Sequence, residues 1–224
     1  MGVTLAEDLL LLAYDDEGNA HVGTPQLDYA LAGALLMELT LDGRLAVADG
    51  ALTVVDPAPT GDPLLDEALT RIAAEPTPRK PQAWIDPLSA GLVDRVLTRL
   101  IDAGVLRREE GRVLWVFPRT RYPSTTGGEP AEEVAVRAEL AAALDGDGTV
   151  APRTAALCAL VPVVRLEGVA FPDRPRKEVA ERLKRLAAHN WPAAAVREAI
   201  EEVEAGITAA LTTVFITTTA TTTS

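Results

Sequence analysis

The sequence has little of what most catalytic and metal sites are built from. It contains one cysteine and two histidines in 224 residues, and His21 and His189 stand in no metal-ligand spacing. The single Cys158 excludes an intrachain disulfide. The sequence also lacks a glycine-rich phosphate loop and a nucleophile elbow. We therefore expect a protein that is not an enzyme and that needs no cofactor or metal.

Positive charge is also scarce. The formal net charge is −12, and among the 21 cations only three are lysines, whereas the rest are arginines. A nucleic-acid binder neutralises phosphates with a clustered excess of lysine and arginine. The charge balance therefore argues against a nucleic-acid partner.

Long apolar runs are absent as well, and aromatic residues are few. No stretch reaches the roughly 20 apolar residues of a membrane-spanning helix, and residues 1–7 lack the basic region of a secretory signal. We expect a cytoplasmic chain whose membrane contact, if any, is peripheral, at the inner face of the cell membrane. Hydrophobic residues make up 48% of the chain and aromatics only 4%, so alanine, leucine and valine dominate, which favours helices.

Two helices are predicted to form the centre of a bundle. The stretch Leu27–Leu45 is apolar nearly all round and meets a helix stop at Gly43. The stretch Ala151–Leu166 has the same character. Other helices have clear starts: Thr4 precedes Glu7 in a capping-box pattern, and Asp62 precedes a proline. The expected fold class is mainly α, a central helical bundle wrapped by amphipathic helices.

An internal repeat predicts two β-hairpins. When the sequence is shifted by 61 positions without a gap, eight residues of the first copy match eight of the second. Each copy is predicted to contain a helix, a glycine that ends it, a strand, a turn with glycine and a second strand. The matching residues are Leu31, Leu36, Leu39, Gly43, Leu45, Gly50, Val55 and Pro57 with Leu92, Leu97, Leu100, Gly104, Leu106, Gly111, Val116 and Pro118. The unit also resembles the end of a winged-helix module. However, the first helix has almost no polar face, and the second carries Asp94 and Asp102 beside Arg95 and Arg99, so neither suits a phosphate backbone.

The segments on either side of the second copy complete the predicted domain. The helix of this copy should run from Leu88 to Ala103, and the four prolines between Pro76 and Pro87 predict an extended connector that Trp84 fixes to the core. We expect one helical domain over residues 1–216. The threonine-rich tail, residues 217–224, lacks a core pattern and is expected to be disordered.

Several motifs together resemble the Golgi phosphoprotein 3 family, in a bacterial form. They are TLAEDLLLLAYDDEG, GALLMELTLDGRL, APTGDPLLDEAL, the pair Trp84 and Ile85, and LIDAGVL. The similarity is clear over Thr4–Phe117 and continues weakly to about Phe215. The resemblance implies a helical fold with β-hairpins and no enzymatic activity. It also implies a membrane role, because eukaryotic members bind phosphatidylinositol 4-phosphate at Golgi membranes and recognise the tails of glycosyltransferases.

The lipid ligands of that family are not preserved here. The family's phosphoinositide pocket uses one tryptophan and three arginines, and the corresponding positions of this sequence hold Gly23, Ala32, Ala90 and Val93. A charge-assisted hydrogen bond contributes about 1.5–3 kcal/mol. The loss of all three arginines therefore predicts that this pocket no longer recognises the headgroup with high affinity.

Other arginines are candidates to replace them. Arg95 and Arg99 share one predicted helix, and Arg44 follows the central helix; the alternative is that they are solvated or satisfy local carboxylates. A second basic cluster, RPRKEVAERLKR at 174–185, either faces an anionic leaflet or is a solvated helix face diluted by its glutamates.

The second hairpin is the strongest interaction candidate. It carries three arginines close to two aromatic residues, a combination that suits a membrane interface or a protein partner: Arg107, Arg108, Arg112, Trp115 and Phe117. The leading hypothesis is a peripheral adaptor that binds anionic phospholipid weakly. The alternative is a protein-interaction scaffold or a homo-oligomer that acts through the same hairpin.

Overall fold

The order of helices and strands is taken from a computed structural model, which describes residues 3–113, 117–191 and 194–220. For residues 112, 113, 117, 118, 195 and 213–220 it describes the backbone alone. The elements are α1 Leu5–Leu12, α2 Thr24–Leu41, β1 Leu45–Ala48, β2 Ala51–Val54, α3 Pro63–Ala73, α4 Gln82–Ser89, α5 Leu92–Asp102, β3 Glu109–Val113, β4 Phe117–Arg121, α6 Ala131–Asp145, α7 Pro152–Val163, α8 Glu167–Ala170, α9 Arg176–His189 and α10 Ala194–Ala220. The predicted class, mainly α with two small antiparallel hairpins, is confirmed.

Helix α2 lies at the centre of the bundle and packs against α1, α4 and α10. Every residue from Ala30 to Met37 is buried. At Gly33 the neighbouring helix comes so close that a Cβ atom would lie 2.2 Å from Cδ1 of Ile207 in α10. In α7, residues 154–161 are likewise buried. Both predicted bundle centres are therefore confirmed.

The predicted helix caps are also present. The backbone amide of Glu7 donates to Oγ1 of Thr4 at 3.2 Å, and the amide of Thr4 donates to Oε2 of Glu7 at 2.8 Å. Asp62 accepts hydrogen bonds from the amides of Leu64 and Leu65 at 2.9 and 3.1 Å. Each cap satisfies amides that a helix start leaves without partners.

The internal repeat holds at the ends of α2 and α5. Gly43 and Gly104 both adopt left-handed conformations, with φ of 70° and 74°. The next amide in each copy reaches back to a carbonyl five residues earlier, from Arg44 to Leu39 at 2.8 Å and from Val105 to Leu100 at 2.9 Å. Both helices therefore end in the same Schellman motif, which requires φ > 0 and favours glycine.

The repeat fails in the hairpins. In the first copy Leu45 pairs with Val54. The shift of 61 positions therefore predicts that residue 106 pairs with residue 115 in the second copy. Leu106 instead pairs with Ser124, so the second hairpin is about nine residues longer than the first. Gly111, predicted at the turn, lies in β3 opposite Arg119. The predicted turn at Gly111 is therefore wrong. In the sequence, a glycine within a strand looks the same as a glycine in a turn between two strands.

The extended connector is correct only before Gln82. Residues 82–89 form α4, with Pro81 at its start and Pro87 inside it, while Trp84 is buried as expected. Tertiary packing outweighs the prolines here, since a Cβ atom at Gly206 in α10 would lie 2.6 Å from the Cα atom of Gln82. The predicted single helix Leu88–Ala103 is also wrong. Its start belongs to α4, and α5 begins after Gly91, whose φ is 66°.

After α6 the structure differs from the expectation in helix boundaries and in one short helix, α8, that was not predicted. Helix α7 ends at Val163 rather than at Leu166, and α10 continues to Ala220, beyond the expected end at Ile216. Residues 221–224 lie outside the described residues, and the single domain with its disordered tail stays a prediction. Across the described ranges, no helix combines the length and the hydropathy that crossing a bilayer requires.

Candidate functional site

The three candidate lipid-binding arginines are each paired with a carboxylate. Arg44 pairs with Asp56, and Arg95 with Glu67. Arg99 pairs with Asp62 and, through Nε, with Oε1 of Glu7 at 3.2 Å. Apart from Glu7, these carboxylates belong to the segment 56–67, which overlaps the motif APTGDPLLDEAL. The geometry is the one expected if the arginines satisfy local carboxylates.

Arg95 and Arg99 lie side by side, whereas Arg44 lies elsewhere. The first two line a cavity of about 690 Å³ between the start of the chain, α3 and α5, and Arg44 is not part of its lining. Four carboxylates, those of Glu7, Asp94, Asp102 and Glu132, line the same cavity. Both arginines of this cavity are already in ion pairs, so a phosphate group would have to compete with the carboxylates that hold them.

The positions that the resemblance assigns to the family's pocket carry no charged side chain. Gly23 precedes α2 as its N-cap, Ala32 and Val93 are buried, and Ala90 is exposed at the end of α4. A carboxylate lies beside these positions: Oδ1 of Asp28 in α2 accepts a hydrogen bond from the amide of Val93 at 2.8 Å. Sequence reasoning did not assign Asp28 a role.

Asp28 occupies the start of α5 as an anion would. Burial raises the pKa of this carboxyl, whereas hydrogen bonds from the amides of Val93 and Leu92 oppose that rise. A helix N-terminus attracts anions because its amides point outward and its dipole is positive. Since the chain supplies its own carboxylate at this end, an external phosphate would have to displace it.

The second hairpin carries its arginines in ion pairs near its base. Arg107 contacts Glu109 at 2.9 Å, Arg108 contacts Glu110 at 3.0 Å, and Arg121 contacts Glu109 at 3.1 Å. These sites are exposed or half-exposed, so the pairs are weak and easily exchanged for other partners. The segment 105–125 contains five arginines and two glutamates, a net charge of about +3 in a chain of −12.

The hairpin is fixed to the rest of the molecule through an acidic turn, residues 15–18. The amide of Tyr122 donates to the carbonyl of Gly18 at 2.9 Å, and Arg119 donates to the side chain of Asn19. A Cβ atom at Gly18 would lie 2.3 Å from the backbone of Tyr122. The close approach therefore requires glycine at this turn.

The far end of the hairpin is described in part. Arg112 pairs in register with Pro118, and Val113 with Phe117. Trp115 lies outside the described residues. The structure thus places Arg112 and Phe117 at the end of the hairpin away from the acidic turn.

The basic cluster at 174–185 divides into paired and unpaired cations. Arg174 contacts Asp145 through two hydrogen bonds of 2.7 and 2.8 Å, and Arg182 donates to the carbonyl of Gly146 at 2.7 Å. Among the described residues, Lys177, Lys184 and Arg185 form no ion pair.

The cysteine and the acidic residues form no reactive or metal centre in the described part of the chain. Burial raises the pKa of Cys158 to about 12, which keeps the thiol protonated and unreactive. Searching the described residues gives no group of three or more His, Cys, Asp or Glu placed to hold a metal ion.

Comparison with known families decides the assignment. The family model described as Golgi phosphoprotein 3 (GPP34) matches residues 5–203. The chain belongs to the Golgi phosphoprotein 3 family. The resemblance inferred from the motifs is therefore confirmed, and it covers the bundle from α1 into α10.

Two relatives of this family member carry the name vacuolar protein sorting-associated protein 74. The one from Eremothecium gossypii is 35% identical over 132 residues, which is 48% of this chain and 40% of the relative. The one from Schizosaccharomyces pombe is 30% identical over 146 residues, 54% of this chain and 43% of the relative. The match thus spans about two fifths of the length of these Golgi phosphoprotein 3 relatives.

Proposed function

We propose that this family member is a non-catalytic adaptor that associates peripherally with membranes and binds anionic phospholipid through the second hairpin. The observation that carries the proposal is the charge of segment 105–125, about +3 in a chain of −12. A cation near an anionic membrane surface gains about 1 kcal/mol. The proposed location is the cytoplasm, at the inner face of the cell membrane.

The hairpin is a better candidate than the arginines of the bundle. Arg99 would have to leave both Asp62 and the buried Glu7 to reach a lipid phosphate. The ion pair of Arg108 with Glu110 is exposed, with 58% and 75% of the two side chains accessible to solvent. Separating this pair therefore costs little free energy. Trp115 and Phe117 suit the interface beside the arginines.

The test is flotation of the purified chain with vesicles at low and at high salt. Neutral vesicles are compared with vesicles that contain phosphatidylglycerol, cardiolipin or phosphatidylinositol 4-phosphate. We expect flotation with every anionic lipid, weakened by salt, because the attraction is electrostatic. Arg108→Glu combined with Trp115→Ala should abolish it, whereas Lys80→Glu, a charge reversal at an exposed site outside the hairpin, should retain most of it.

Two results would overturn the proposal. One is the absence of flotation with all anionic vesicles. The other is a strong preference for the phosphoinositide that survives the hairpin substitutions, which would require a headgroup site elsewhere in the bundle.

A second candidate function is self-association or partner binding through the same hairpin. Within the described residues β3 and β4 pair only with each other, so the outer edge of each strand offers unpaired backbone groups. Such a scaffold would show a mass that rises with concentration in solution. The Arg108→Glu, Trp115→Ala variant should remain monomeric.

A further inference from the structure

A cavity of about 630 Å³ lies between α7, α9 and α10. It shares no lining residue with the second hairpin or with the cavity beside Arg99. Its size falls within the roughly 300–1,000 Å³ of pockets that hold small ligands. None of the functions proposed above uses it.

The interior of this cavity is mainly apolar. Small or aliphatic side chains from all three helices line it, together with the ring of Trp191: Ala159, Val163, Ala187, Ile200 and Leu211. Cys158, which is fully buried, also belongs to the lining. Such a surface favours an alkyl chain, since each methylene removed from water is stabilising.

Two exposed cations line the same cavity. Arg165 and Lys184 form no ion pair with any other residue that the structure describes. They come from different elements, Arg165 from the end of α7 and Lys184 from α9. An anionic group bound in this cavity would gain a charge-assisted contact from each of these cations that it reaches.

Arg165 occupies a position that normally holds glycine. Its φ is 61°, its amide donates to the carbonyl of Pro162 at 3.1 Å, and the amide of Leu166 donates to Val161 at 3.0 Å. This is the same helix-ending motif that Gly43 and Gly104 form elsewhere. A residue that carries a Cβ atom is strained there, and strain of this kind is typical of functional positions.

Three carboxylates also line the cavity. Glu201 pairs with Arg197 at 3.8 Å, and Glu181 is exposed. Glu204 is half-buried; burial raises its pKa, although the charge of Lys184 opposes the rise.

We propose that this cavity binds a long-chain carboxylate, with its alkyl chain between Ile200 and Leu211 and its carboxylate between Arg165 and Lys184. The ligand is a free fatty acid rather than a lipid held in a membrane. The proposal does not rest on the membrane role of the hairpin, so either can fail without the other.

Calorimetric titration of the full chain with dodecanoate, below its micelle concentration, tests the proposal. Dodecanol and dodecylamine serve as uncharged and cationic probes with the same alkyl chain. We expect saturable binding of one dodecanoate per chain, at least about fivefold tighter than either probe. Equal binding of dodecanol, or tighter binding of dodecylamine, would overturn the assignment of the head group.

Single substitutions locate the site. Arg165→Gly and Lys184→Gln should each weaken dodecanoate binding by about fivefold or more, whereas Arg185→Gln, the same loss of charge outside the cavity, should not. Arg165→Gly also relieves the strained backbone, so its thermal midpoint should not fall, which separates lost binding from lost folding. Unchanged affinity in both cavity variants would refute the site.

A steric block gives an independent check. Ala188 is an exposed residue of α9 that lines the cavity, so Ala188→Trp should abolish binding. Ala73→Trp, at an exposed residue of α3 outside the cavity, is the control and should not affect binding. Absence of saturable dodecanoate binding would overturn the proposal. A third outcome is that the chain binds phospholipid vesicles but not free dodecanoate, and that Ala188→Trp abolishes the binding to vesicles. This result would assign the cavity to membrane lipid and would equally overturn the proposal.

Discussion

The carboxylate of Asp28 in α2 accepts a hydrogen bond from the backbone amide of Val93 in α5 at 2.8 Å. The two residues are 65 positions apart, yet they join the central helix to the start of the helix that leads into the second hairpin. Val93 is one of the positions at which the resemblance to the family implies a pocket ligand. At this helix start the chain provides a carboxylate of its own.

Asp28→Ala should lower the free energy of unfolding by about 1 kcal/mol, because the first turn of α5 loses its hydrogen-bonding partner. Asp28→Asn should cost less, since its amide oxygen still accepts from Val93. Urea unfolding followed by circular dichroism measures both. Asp173→Ala, at an exposed site, is the control, and an Asp28→Ala variant as stable as that control would contradict the role of the carboxylate.

Arg99 and Arg95 should differ in their effect on stability although they lie one turn apart. Arg99→Met leaves the buried Glu7 without its cation and should cost about 1–3 kcal/mol. Arg95→Met breaks an exposed pair with Glu67 and should cost less than about 1 kcal/mol. Chemical denaturation of the two variants gives the comparison. Equal costs would mean that the contact of Arg99 with Glu7 is not maintained in solution.

Stability should fall as the pH rises from about 5 to 8. Burial raises the pKa of Glu133 to about 7 and that of Asp8 to about 6, although Arg137 and Arg153 lower them in part. A raised carboxyl pKa means that the folded state binds the proton more tightly. The stabilisation is therefore full below the ordinary pKa and is lost as pH rises through the folded-state value.

Glu133→Gln should remove much of this pH dependence, which for Glu133 amounts to about 2–3 kcal/mol. The glutamine keeps an oxygen that accepts from Arg137 but does not titrate. Thermal unfolding across the pH series measures the slope. A variant with the same slope as the parent chain would show that Glu133 titrates near its ordinary pKa.

Gly206→Ala should destabilise the bundle by about 1–3 kcal/mol, since its Cβ atom would lie 2.6 Å from the backbone of Gln82. Gly33→Ala meets the side chains of Ile207 and Val203 rather than backbone, so its cost should be smaller and partly rescued by Ile207→Val. Gly128→Ala, which points into open space, should change stability by less than about 0.5 kcal/mol. Denaturation midpoints rank the three, and a neutral Gly206→Ala would contradict the tight contact between α10 and α4.

Features with a local cause could be predicted from the sequence. The caps at Thr4 and Asp62 and the stops at Gly43 and Gly104 depend on residues within one turn. The centre of the bundle was evident from apolar residues on all sides of one helix. These signals are local, so neighbouring residues suffice to identify them.

Features that depend on distant contacts could not. Helix α4 forms despite its prolines because α2 and α10 pack against it. The partners of Arg99 lie 37 and 92 positions away, and no local pattern connects them. The candidate arginines were therefore identifiable as cations, whereas their neutralisation and the role of Asp28 required the fold.

The shared helix ending at Gly43 and Gly104 separates each helix of the core from its hairpin. In the first copy the short hairpin folds back against α3 and α10, with Leu45 and Leu52 buried. In the second copy the same ending leads into a longer hairpin, whose strands β3 and β4 pair with each other and whose base contacts the turn at Gly18. One helix-plus-hairpin unit thus serves two purposes in this fold, since the first hairpin closes the bundle and the second projects a pair of strands from it.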